Sequence, residues 1–311
     1  MANDPSGLVE RALRADRGAV AKLISLVESG GAAADDAVAK LYPHTGRAYT
    51  IGITGAPGSG KSTITDKLIG RIRHDGDEVG VLAIDPTSPF SGGAILGDRV
   101  RMQDHATDAG VYIRSMATRG HLGGLSLAAP QAVRVLDAAG KPWVLLETVG
   151  VGQVEVEIAG AADTTIVVVN PGWGDAVQAN KAGLMEIADV FVVNKADRDG
   201  AKETIRDLNA MLDMSAAKDW RPPVVETVAT TGSGIDELWD ALGEHRAFLD
   251  DDRLHERREA RLRDELRRIV RARLEQQVAD NATGERFEKL VARVSRREID
   301  PYAAADELLT G

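Results

Sequence analysis

Tyr49-Thr50-Ile51-Gly52-Ile53-Thr54-Gly55-Ala56-Pro57-Gly58-Ser59-Gly60-Lys61-Ser62-Thr63 decides how this chain folds. From Gly55 onward it fits G-x-x-x-x-G-K-[ST], a loop that cradles phosphates. The run Tyr49–Ile53 reads as a buried strand and the residues through about His74 as a helix, the strand–loop–helix context this pattern requires. The glycines let the backbone wrap phosphates, so that successive N–H groups from Gly55 to Thr63 and the helix N-terminus point at negative charge. Lys61 reaches the outer phosphates, and the Ser62 hydroxyl takes a magnesium position.

A second segment, Asn194-Lys195-Ala196-Asp197, follows the apolar run Val190-Phe191-Val192-Val193. A carboxylate at Asp197 accepts two hydrogen bonds from guanine, whose ring N–H and exocyclic amine form a donor pair that adenine lacks. An unpaired buried carboxylate is costly, so this position selects GTP and GDP over ATP. Asn194 holds the loop and the Lys195 stem covers the base.

Between Tyr49 and about Leu249, short β-rich runs alternate with helical segments: Val79–Ile84, Val111–Ile113, Trp143–Leu146, Thr164–Val169, Val190–Val193 and Val224–Val228. Continuous apolar runs predict parallel strands covered on both faces, with ligands at their carboxyl ends. The fold class is therefore α/β, a P-loop GTPase with a mostly parallel central sheet flanked by helices, plus helical extensions at both ends. Residues 1–48 form the N-terminal extension, 49–250 the GTPase domain and 251–311 the C-terminal arm. In the arm, Arg253–Gln277 carries dense charge of both signs and an apolar stripe of Leu254, Leu262, Leu266, Ile269, Val270 and Leu274. Periodicity leaves two readings open: a solvated helix packed on its own domain, or an arm buried against a second subunit.

Three acids lie at strand ends or beside them. Glu147, in Glu147-Thr148-Val149-Gly150, stands where phosphate-loop enzymes usually carry a magnesium aspartate, and Gly150 lets its N–H approach the γ-phosphate. Asp85 ends the second run, and Asp98 follows the glycine-rich Ser91–Gly97 stretch, which reads as a nucleotide-sensing switch. Each acid alone is equally readable as a cap or a surface turn; together they suggest a metal site. Val151 occupies the position where many GTPases place glutamine, with Gln153 two residues on, so unaided hydrolysis is expected to be slow. Arg114, Arg119 and His121 either contribute charge or belong to a structural loop, the latter being favoured; Arg99 and Arg101 share that ambiguity. The remaining histidines, His245 among them, show no metal-like spacing.

Hydrophobic residues make up 43% of the 311 and aromatics 4%, which suits a globular core and argues against base-stacking surfaces. A net charge of −10 disfavours non-specific binding to nucleic acid or anionic membrane. Without cysteine there are no disulfides, thiolate metal sites or cysteine nucleophiles. No apolar run reaches membrane-spanning length, so a cytoplasmic protein is expected.

Gly52–Thr63, Asp85-Pro86-Thr87-Ser88, Gly92–Asp98, Glu147–Gln153 and Asn170-Pro171-Gly172-Trp173-Gly174-Asp175-Ala176-Val177-Gln178, continuing to Lys181 and Glu186–Asp189, resemble the methylmalonyl-CoA mutase-associated GTPases. This is the MeaB/ArgK family, whose human relative is MMAA. The resemblance implies that Lys61, Ser62, Asp85, Asp98 and Glu147 serve phosphate and magnesium, and that Asn194, Lys195 and Asp197 read guanine. Ala229-Thr230-Thr231 falls at the family's serine–alanine turn, with Val228 replacing the serine. The resemblance further implies a homodimer through the C-terminal helices. It implies that Pro171–Lys181 couples nucleotide state to a cobalamin-dependent acyl-CoA mutase, which the protein serves as a GTP-hydrolysing chaperone. Competing readings are a metal-insertion GTPase, which the absence of cysteine disfavours, a kinase of basic amino-acid transport, which Asp197 disfavours, and a nucleotide-gated scaffold.

Overall fold

A computed structural model describes residues 5–86, 105, 107–118, 124–148, 160–172, 178–214 and 219–310. The strands are β1 (Tyr49–Gly55), β2 (Val79–Pro86), β3 (Val111–Thr118), β4 (Trp143–Thr148), β5 (Thr164–Val169), β6 (Val190–Asn194) and β7 (Val224–Thr227). They form one sheet in the order β3-β2-β4-β1-β5-β6-β7, with every neighbouring pair parallel. β1 is central: the chain builds β2 to β4 on one side of it and β5 to β7 on the other. Its carboxyl end therefore lies where the strand order reverses, the place where open parallel sheets bind ligands.

Helices cover both faces, which is why β1, β4, β5 and β6 are buried along their whole length. On one face, Ile51, Ile53, Leu145 and Val168 meet Ile64 and Leu68 of α4 (Lys61–His74) and Leu238 and Leu242 of α8 (Ile235–Phe248). On the other, Leu82, Val144 and Leu146 meet Ala132, Val135 and Leu136 of α5 (Gly124–Ala138). α6 (Gln178–Ile187) and α7 (Ala201–Met214) cover Val167, Val169, Phe191 and Val193.

The N-terminal segment folds as α1 (Pro5–Ala12), α2 (Arg17–Ser29) and α3 (Ala32–Leu41). The Asp16 carboxylate caps α2 by accepting from the Ala19 N–H at 2.9 Å, and Gly30 at φ 67° ends it. Leu23 and Ile24 join the core cluster that holds α5. β3 runs past the expected Ile113 to Thr118, so the Arg114–Thr118 stretch is strand rather than loop. Arg114 points away from the nucleotide edge and donates to Ser25 Oγ (2.8 Å) and Glu28 (3.0 Å), tying α2 to the sheet.

At the other end, α9 (Asp251–Asn281) is followed by α10 (Gly284–Ser295) and α11 (Pro301–Thr310). Leu254 packs on the core. Farther along α9 the apolar stripe leaves the domain: Leu266 is 62% and Leu274 56% exposed, with Val270 and Val278 exposed beside them. Among the described residues, no helix is long and apolar enough to cross a membrane.

Candidate nucleotide site

The loop between β1 and α4 depends on two glycines. Gly55 has φ 133°, and a side chain there would meet the Val168 carbonyl of β5 at 2.0 Å. Gly60 has φ 95°, and a side chain would meet Asn194 Nδ2 at 2.2 Å. Both positions reject any other residue, through conformation and through contact. Lys61 opens α4 and is buried; its ammonium donates to the carbonyls of Gly55 (2.7 Å) and Ala56 (2.9 Å). The cation thus sits within the loop, at the positive end of a helix.

Ser62 Oγ donates to Glu147 Oε1 at 2.5 Å, and both side chains are buried. Glu147 is placed by β4 between Ile53 of β1 and Ala83 of β2. A hydroxyl and a carboxylate beside a phosphate loop are hard oxygen donors of the kind magnesium takes, in sites completed by phosphate and water. Among the described residues no group of three or more histidine or acidic side chains is placed to hold a metal ion by itself. The donor set fits the ion. Asp85 lies two residues beyond Ala83, toward the same sheet edge. Its side chain, like those of Gln178 and Lys181, falls outside the described residues. So do Asp98, Arg99, Arg101, Arg119, His121, Gly150, Val151, Gln153 and Asp175.

The base-reading segment is joined to the phosphate loop by two side chains. Asn194 Nδ2 donates to the Ser59 carbonyl (2.8 Å), and its Oδ1 accepts from Thr227 Oγ1 and the Ala229 N–H (both 3.1 Å). Asn194 therefore fixes β1's loop, β6 and the turn after β7 as one body. Lys195, at φ 60°, lays its stem back so that Nζ donates to the Gly58 carbonyl at 2.7 Å. Asp197 is exposed, and Thr230 is exposed on the neighbouring turn. β7 ends at Thr227, one residue short of the expected Val228, which instead pairs with Ser233 across the turn.

The amino ends of the strands carry a second polar system that the sequence reading does not single out. Asp163, just before β5, takes Arg258 through two hydrogen bonds (3.0 and 2.7 Å), Arg261, and the Thr50 N–H (2.9 Å). Burial pushes its carboxyl up. The Arg258 hydrogen bonds, the two guanidinium charges and the Thr50 N–H outweigh burial and hold it at about 2. Asp189, just before β6, takes Arg257 through two bonds (3.0 and 2.7 Å) and faces His245 Nε2 at 3.3 Å. His245 is buried and its Nδ1 lies 2.8 Å from Thr164 Oγ1, so it is a core residue. The root of α9 is thus pinned to β5 and β6, at the ends opposite their nucleotide loops. The only sequence signal was a pair of acids opening apolar strands and an arginine run on a charged helix.

Residues 20–283 match the family described as methylmalonyl Co-A mutase-associated GTPase MeaB. The chain belongs to that family. A relative from Pyrococcus abyssi, which itself carries a provisional GTPase name, is 55% identical over 97% of this chain and 95% of its own. GTPase ArgK of Escherichia coli is 36% identical over 78% of this chain and 76% of its own. A crystal structure titled LAO/AO transport system kinase superposes with a TM-score of 0.74 at 25% identity, covering 100% of this chain and 98% of that one. The MeaB assignment makes this protein a P-loop GTPase, an enzyme acting on guanine nucleotide.

Proposed function

We propose that this GTPase is the nucleotide-driven chaperone of a cobalamin-dependent methylmalonyl-CoA mutase, acting in the cytoplasm to gate cofactor loading and protect the mutase from inactivation. The observation that carries the proposal is the match over residues 20–283 to a family described by its association with that enzyme.

In this reading the N–H groups of Gly55 to Thr63 hold the phosphates, and Lys61 exchanges the Gly55 and Ala56 carbonyls for phosphate oxygens. Ser62 and Glu147, with Asp85 and Asp98, hold magnesium, which when bound neutralises charge on the phosphates. Asn194 fixes the base loop, Lys195 covers the ring and Asp197 reads it. With Ala229 N–H engaged by Asn194, Thr230 supplies the free turn beside the base. The exposed Leu266, Val270, Leu274 and Val278 bury themselves against a second copy, which makes residues 251–311 a dimerisation arm. Val151 leaves unaided turnover slow, and the mutase accelerates it by ordering the Asp98 loop and Pro171–Lys181. Any preference of the mutase for one nucleotide state shifts nucleotide affinity equally.

The test is GTP turnover with and without purified mutase. The mutase should raise it at least ~10-fold, a barrier change of ~1.4 kcal/mol. Substituting Asp175, Gln178 or Lys181 should abolish the increase and leave turnover of the GTPase alone nearly intact. Absence of stimulation by a mutase that binds the protein would overturn the chaperone role; equal damage to basal turnover would move the loop into the catalytic site.

A further inference from the structure

One face of α9 carries Arg258, Arg261, Glu265 and Arg268 at helical spacing toward a cavity of about 180 Å³. The cavity lies at the amino ends of β1 and β5, bordered by Thr50 and Asp163, whereas the nucleotide loops follow the opposite ends of these strands. The first three side chains of the row have ion-pair partners, although the buried Nη1 of Arg261 has no hydrogen-bond partner among the described residues. Arg258 and Arg261 take Asp163, and Glu265 takes Arg134 through two bonds (2.7 and 2.6 Å) with Gln131 at 3.0 Å. Arg268, one turn on, has no ion-pair partner among the described residues, and its buried Nε has no hydrogen-bond partner.

The cavity wall holds four guanidiniums, those of Arg134, Arg258, Arg261 and Arg268, against the carboxylates of Asp137, Asp163 and Glu265. Asp137 is spent on the N–H groups of Gly46 (2.5 Å) and Ala48 (3.0 Å). Four guanidiniums against three carboxylates leave one positive charge in surplus on this wall, and Arg268 is the guanidinium of the four with no ion-pair partner among the described residues. A guanidinium cannot relieve partial burial by losing its proton, so an anion is its remaining source of compensation. Tyr42, Pro130, Val133 and Leu262 give the cavity an apolar side, beside Thr45 and Thr50.

We propose that this cavity binds a short-chain aliphatic carboxylate, its carboxylate on Arg268 and its alkyl body on Val133, Pro130, Leu262 and Tyr42. At ~30 Å³ for each water-sized position, the volume accommodates about six heavy atoms, the size of butyrate. Inorganic phosphate meets the same charge and offers nothing to the apolar wall, so the site ranks butyrate above phosphate.

Titration calorimetry on the full chain at constant ionic strength tests this with sodium butyrate and sodium phosphate. Butyrate should bind saturably with a Kd near or below about 1 mM, and Arg268→Gln should weaken it by about tenfold or more. The urea midpoint of the parent should rise with butyrate, that of Arg268→Gln should not, and GDP affinity should be the same in both. Should Arg268→Gln fail to fold, Val133→Phe narrows the cavity from another wall and must weaken butyrate comparably. Three results overturn the proposal: no saturable butyrate binding, phosphate binding as tightly as butyrate, or unchanged butyrate affinity in the variant. A variant that shifts only self-association would likewise overturn it, assigning the guanidinium to a second subunit.

Discussion

Replacing Asn194 by alanine should unlock the two halves of the nucleotide site from one another. The side chain is buried and makes three hydrogen bonds of 2.8 to 3.1 Å, to Ser59, Thr227 and Ala229. At about 1 kcal/mol net for each, the loss of stability should be about 3 kcal/mol. Urea unfolding should show it as a lower midpoint at unchanged slope. GDP and GTP affinities should fall together, because phosphate loop and base loop no longer share a fixed geometry. Gly60→Ala attacks the same contact from the other side, its added carbon falling 2.2 Å from Asn194 Nδ2. In the alanine background that clash is gone, so the two changes should couple by about 1 kcal/mol or more. If the double variant is additive within about 0.5 kcal/mol, the bridge does not join the loops as described and the reasoning fails.

Asp197→Asn should weaken GTP binding about 10²-fold and move preference toward xanthine nucleotides, whose pattern complements the amide; competition binding measures both. Glu147→Ala should keep GDP and lose magnesium-dependent hydrolysis, as read by phosphate release across a magnesium titration. Asp163 should govern acid stability: its folded value of about 2 lies below the ordinary 3.8, so its contribution is full above about pH 4 and is lost as pH falls toward 2. The difference corresponds to about 2 kcal/mol. Urea midpoints followed from neutral pH downward should show that acid slope, and Asp163→Asn should flatten it.

The phosphate loop and the base-reading segment were legible because each is contiguous: spacing alone states the chemistry, and the apolar run before each states where it sits. What joins them was not legible. Asn194 meets Ser59 across 135 residues, a contact set by the β1–β5–β6 order and not by any local pattern. β3 was read too short because Arg114, Ser115 and Thr118 interrupt its apolar run. As an edge strand it has one such position to spare, and Arg114 there serves α2. Periodicity left the packing of α9 open because the acids that its arginines meet stand about 70 to 100 positions earlier; the fold shows that Arg257, Arg258 and Arg261 are spent inward.

That inward commitment bears on what survives a proteolytic nick. Three guanidiniums within five residues of one helix neutralise the carboxylates that open two central strands. Cleavage near Leu254 with loss of the downstream piece would leave Asp163 and Asp189 buried without those charges. Removing one partner of a buried pair costs about 3–5 kcal/mol, and two such losses rival the whole stability of an ordinary domain. A clipped molecule would therefore unfold and be cleared, not persist as a free nucleotide hydrolase, so the tail acts as a seal of integrity on the fold it leaves. An excised catalytic fragment should begin its cut beyond Glu265, leaving that first stretch of the helix in place.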